Sequence, residues 1–98
     1  MLVWLLNVVL LEIENMITQV VALFDGKVEA FGMPQFVQSV GAGVRAFGDA
    51  VNGSGDSDIR RHPEDFQLFH LGSFDDETGR FTQFDVPKLL SAGLTLKQ

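Results

Sequence analysis

The chain has 98 residues, 46% of them hydrophobic and 20% charged, enough for one domain whose core has a thin stability margin. It has no cysteine, which excludes disulfides, thiol chemistry and Cys-based zinc sites. Its net charge of −6 repels phosphate backbones on average, so direct nucleic-acid contact would need a local basic patch against the global sign.

Residues 1–11, MLVWLLNVVLL, are almost wholly apolar and stop at Glu12. A membrane span needs ~20 such residues, and a secretory signal carries Lys or Arg ahead of its apolar run and small residues at a cleavage site. Three readings remain: an extra helix, a membrane-surface segment, or translated upstream sequence with Met16 as the start. The third is the expectation, which makes 1–15 an apolar extension and 16–98 a single domain with no membrane partner.

Ile17 to Phe24 is short, β-branched and aromatic, the composition of a strand. Asp25-Gly26 follows, a two-residue hairpin signal because both residues tolerate φ > 0. Lys27 to Phe31 is then the return strand, with Phe24 opposite Lys27, Leu23 opposite Val28 and Val21 opposite Ala30. Pro34 breaks the pattern, since it cannot sit in a central strand. Ser39 to Asn52 is the main helix: Ser39 is a suitable N-cap, and Val40, Val44, Phe47 and Val51 form one apolar stripe. Arg45 and Asp49 face the other way at i,i+4. Gly41, Gly43 and Gly48 flank the stripe and are expected to let the helix sit close on a sheet.

Residues 53–58, GSGDSD, form a loop. Pro63-Glu64-Asp65 begins a short helix, with Pro first and carboxylates next, where they suit the helix dipole. Gln67 to Phe74 is a strand. Asp75 to Gly79 is a turn with Gly79 as its left-handed residue, and Arg80 to Asp85 returns. Pro87 ends that strand, leaving Lys88 to Leu94 as a weak helix or tail. The fold expected is α+β: a small antiparallel sheet of about four strands, built from two hairpins, with one main amphipathic helix packed on one face. Apolar residues alternate onto both faces, Phe69 and Leu71 against Leu68 and Phe74, and Phe81 against Phe84. One helix covers one face, so the second needs a partner, most simply a second copy in a homodimer.

Few residues suggest chemistry. His62 lies among charges next to Pro63, a surface setting, and His70 alternates within a strand, where it packs against an aromatic. Asp56-Ser57-Asp58 resembles the start of a calcium loop, but Arg60 takes the next ligand position and the required glycine is missing. Asp75, Asp76 and Glu77 crowd a turn, where carboxylates are solvated. No GxSxG, P-loop or GxGxxG occurs. No enzyme activity, catalytic residue, metal ligand or cofactor is expected. Arg45, Arg60 and Arg61 are the basic residues that could gather on a nucleic acid, with Phe66 and Phe69 as stacking candidates. The competing reading pairs the arginines with Asp56, Asp58, Glu64 or Asp65 and places the phenylalanines in the core.

The run HPEDFQLFHLGSFDDETGRF, His62 to Phe81, resembles the signature of the small non-structural protein of gokushoviruses, single-stranded DNA phages of the microvirus family. Val20 to Phe31 (VVALFDGKVEAF) and Ser39 to Asn52 (SVGAGVRAFGDAVN) agree in order and spacing, so the resemblance covers roughly Met16 to Pro87. It implies a protein made in the cytoplasm of an infected bacterium, absent from the virion, and acting by binding in genome amplification. The implied partners are single-stranded DNA or a phage replication or procapsid protein, and the resemblance carries over no catalytic residue. The alternative is an acidic, dimeric protein-interaction module that modulates a phage or host protein without touching DNA.

Overall fold

The computed structural model describes residues 17–98; the expected extension 1–15 and the start at Met16 lie outside them. The elements in chain order are β1 (Thr18–Asp25), β2 (Ala30–Phe31), β3 (Gln35–Val37), α1 (Val40–Asn52), α2 (Asp58–Arg61), a 3₁₀ turn (Pro63–Asp65), β4 (Phe66–Asp75), β5 (Arg80–Ala92) and α3 (Gly93–Leu96). The strands form one curled antiparallel sheet in the order β2-β1-β4-β5, with β3 also pairing β1. The α+β expectation, a small sheet with one main helix, therefore holds.

α1 forms where its apolar stripe predicts. The Ser39 hydroxyl accepts a hydrogen bond from the Ala42 N–H at 3.1 Å, which satisfies one of the donors every helix start leaves open. The buried face carries Gly43, Phe47 and Val51, and these pack on Val21, Phe66 and Leu68 of the sheet, with Leu23, Val37, Ile59, Leu90 and Leu96 closing the edges. Val51 is fully buried. A Cβ on Gly43 would lie 3.6 Å from Val37 and 3.7 Å from Val21, ordinary contact distances. Close approach of helix to sheet therefore does not require glycine there.

Both hairpin turns share one design, and the first overturns the expected register. Phe24 pairs with Phe31 and Asp25 with Ala30, so the loop has four residues rather than two. The Asp25 carboxylate accepts from the Lys27 N–H at 2.9 Å, and the Asp25 carbonyl accepts from the Glu29 N–H at 2.8 Å. Gly26 is meanwhile drawn away by its own N–H, which donates to the Asp65 carbonyl at 2.7 Å, so the Asp-Gly pair is not free to make the tight turn. The pairing moves by four residues, an even number, so Ala30 and Phe31 keep their expected faces, while Lys27, Val28 and Glu29, expected in the return strand, lie in the loop. The second turn repeats the pattern, with Asp75 accepting from Glu77 and Gly79 and Gly79 left-handed at φ 73°.

The end of the chain also departs from expectation. β5 continues through Pro87 to Ala92, and only Gly93–Leu96 is helical. Among the described residues β5 is an edge strand, where a missing N–H costs no ladder bond on the open side. The β4–β5 register also breaks between His70 and Gly72, so that Leu71 faces the whole stretch Phe84 to Pro87. At Gly72 a Cβ would run into the Thr82 carbonyl, so this crossing needs glycine.

Candidate interaction surface

Two of the three arginines of the expected basic site are engaged within their own loop. Arg61 forms ion pairs with Asp58 at 2.9 Å and Asp56 at 3.4 Å, and Arg60 donates through Nε to the Gly55 carbonyl. Ser57 caps α2 by accepting from the Arg60 N–H at 3.2 Å. Arg61 is therefore paired with Asp56 and Asp58, as the competing reading of the sequence has it, whereas Arg60 is held by a backbone carbonyl of the same loop. Arg45 is exposed on α1. Phe66 is 9% exposed, inside the core under α1, so it cannot stack a base without leaving the core. Phe69 pairs with Ala22 on the opposite face of the sheet, away from the helix. An odd spacing in one strand sends Phe66 and Phe69 to opposite sides, so no surface joins both rings.

The face of the sheet away from α1, open among the described residues, is built from phenylalanine. Thr18, Val20, Ala22 and Phe24 alternate onto the side away from α1, and pairing brings Phe31, Phe36, Phe69 and Phe74 to the same side. Phe81 joins them opposite Phe74. Phe24, Phe31 and Phe69 form one trio with centroids 5.0 to 6.3 Å apart. Phe36, Phe74 and Phe81 form a second, with centroids 4.8 to 6.2 Å apart. The rings meet edge-on or tilted, as their quadrupoles favour. Val20 and Ala22 between them are buried. Phe31 is nevertheless 44% exposed, Phe36 55% and Phe81 64%, with Leu89 at 55% beside Phe69.

Next to the second trio, the break in the β4–β5 register opens a groove of about 500 Å³ lined by Val20, Pro34, Phe36, Leu71, Phe81 and Pro87, among others. The sequence reading puts Phe69 on one face of the sheet and Phe74 on the other, and the register break around Leu71 corrects this by bringing both onto the open face. That reading also missed Phe36 and the groove, because both depend on β3 pairing with β1 and on the bulge at Leu71.

The histidines behave as their settings suggest. His70 meets Phe84 edge-on at 4.6 Å and shares a 2.8 Å hydrogen bond with Gln19, while the Lys88 ammonium lies over the same Phe84 ring at 4.3 Å. His62, Glu64 and Asp65 bring ligand-type atoms within 4.8 Å of one another. His62 and Glu64 are exposed there, and exposed acidic groups gather in this way without an ion. Among the described residues no helix is long and apolar enough to cross a membrane.

Residues 18–96, which include both turns, α1 and the aromatic face, match the family described as Phage ORF5 protein. The chain belongs to that family. No curated protein and no solved structure matches it.

Proposed function

We propose that this phage protein is a non-structural accessory of single-stranded DNA genome amplification, acting in the infected bacterial cytoplasm by binding rather than by catalysis, and that its working surface is the aromatic face of the sheet. The observation that carries the reading is the pair of phenylalanine trios on a face open among the described residues, with three rings 44–64% exposed. A folded domain rarely leaves so much contiguous aromatic surface in water unless a partner covers it. The phage assignment rests on the family. The narrower assignment to the gokushovirus non-structural protein rests on the resemblance of His62 to Phe81.

The face favours a protein partner over DNA. Strand-binding surfaces combine stacking aromatics with basic residues that track the phosphates. Here Arg61 is held by Asp56 and Asp58, and the chain as a whole carries −6. Titration with single-stranded DNA at two low salt concentrations tests this. The reading predicts no binding that falls steeply with salt. Affinity falling with a slope near −0.7 per neutralised phosphate, flattened by replacing Arg60 and Arg61 with Ala, would overturn it in favour of direct DNA contact through the arginines.

A further inference from the structure

We propose that the occupant of the aromatic face is a second copy of this chain, docked face to face in a two-fold dimer in which Phe81 of each copy enters the groove of the other. The proposal rests on the reading of that face as the working surface and names its partner.

Three observations carry it. The first is that knob and hole lie side by side. Phe81, 64% exposed, stands at the rim of the groove lined by Val20, Pro34, Phe36, Leu71 and Pro87. Two-fold contacts need a surface complementary to itself, with residue i meeting j and j meeting i, and a protruding ring beside a concave site meets that condition. At about 500 Å³ the groove falls within the ~300–1,000 Å³ range of sites that enclose bulky apolar groups.

The second is area. Large aromatic side chains each offer ~200 Å² for burial, so the exposed fractions of Phe31, Phe36, Phe81 and Leu89, with the half-buried rings between them, leave on the order of 500 Å² of apolar surface per copy. Two copies would bury on the order of 1,000 Å², the lower bound for a specific interface.

The third is charge. The open face is apolar and aromatic at its centre, with Asp85 at the groove. That arrangement suits an apolar partner and disfavours a polyanion. Two copies each carrying −6 repel one another at long range, so added salt should hold or strengthen the dimer by screening. Charge-driven DNA binding runs the other way.

Sedimentation equilibrium on the full chain across micromolar concentrations, at low and high salt, tests the proposal. The expected result is a dimer whose association does not weaken with salt. Phe81→Glu and, separately, Phe36→Glu should weaken association by about 30-fold or more, the size expected for a central interface residue, with the circular dichroism spectrum unchanged because both rings are exposed in the monomer. Val28→Glu in the β1–β2 turn should leave the dimer intact. A monomer at every concentration would overturn the proposal, as would a dimer indifferent to both phenylalanine substitutions. If the chain is monomeric but Phe81→Glu still abolishes its action in infection, the face is right and its occupant is another protein. If the dimer behaves as expected while single-stranded DNA binds through Arg60 and Arg61, the dimer stands and the protein-contact reading fails.

Discussion

Glu29 holds the position in the first turn that Gly79 holds in the second. Both lie four residues after an aspartate whose carbonyl accepts their N–H at 2.8 Å, and both are left-handed, with φ 58° and 73°. A residue with a Cβ is disfavoured in that conformation by roughly 1–2 kcal/mol, and glycine is not. Glu29→Gly should therefore stabilise the domain by about 1 kcal/mol after glycine's greater unfolded-state entropy is subtracted. The reverse change, Gly79→Glu, should destabilise it by a similar amount. Thermal melts check both, since about 1 kcal/mol moves the midpoint of a domain this small by ~4–8 °C.

The helix glycines give a second contrast. A Cβ on Gly41 would meet only the Ser39 hydroxyl at 3.9 Å and one on Gly48 only Leu96 at 3.8 Å, so Ala at either should add about 0.5–1 kcal/mol through helix propensity alone. Gly72→Ala should instead cost about 3 kcal/mol or more, because the Thr82 carbonyl occupies the space. Urea titration of the three single variants measures the difference. A neutral Gly72→Ala would contradict the strand crossing described for β4 and β5.

Much of the architecture was legible because its signals are local. The stripe from Val40 to Val51 specified α1, Ser39 its start, and Gly79 the second turn. The first turn was not legible, because its left-handed residue is Glu29 and because Gly26 is diverted by a bond to Asp65, a contact made across the fold. Pro87 misled for a related reason: it breaks a central strand but not an edge strand at a bulge, and only the sheet order reveals which β5 is. The candidate site was half legible. Phe66 and Phe69 are three apart in one strand, and period-two alternation alone could have separated them onto opposite faces. The aromatic face needed β3, whose three residues (Gln35–Val37) carry no strand signal next to Pro34.

Two phenylalanines should respond oppositely to truncation. Phe47 is 4% exposed in the core, and Phe47→Ala should cost about 3–5 kcal/mol. Phe81→Ser, at a ring that is mostly exposed, should change stability by no more than about 1 kcal/mol in the monomer. Chemical denaturation at concentrations low enough to keep the chain monomeric separates the two. A large loss from Phe81→Ser under those conditions would mean that the ring supports the fold rather than awaits a partner.

The arginine loop should matter little for stability. The ion pairs of Arg61 with Asp56 and Asp58 join side chains that are 47–87% exposed, and such pairs contribute about 0–1 kcal/mol, less in high salt. Arg61→Ala should therefore melt within a few degrees of the parent and chiefly loosen residues 53–62. Faster amide exchange confined to that loop is the expected signature.

The central claim is that the phenylalanine face, not the arginine loop, does this protein's work. Its most direct measurement is the yield of single-stranded genomes per infected cell when the phage carries Phe36→Glu with Phe81→Glu, compared with Arg60→Ala with Arg61→Ala, both variants being folded and equally abundant. Yield should collapse with the phenylalanine pair and stay near the parent level with the arginine pair. Normal yield with the phenylalanine pair and collapse with the arginine pair would contradict it.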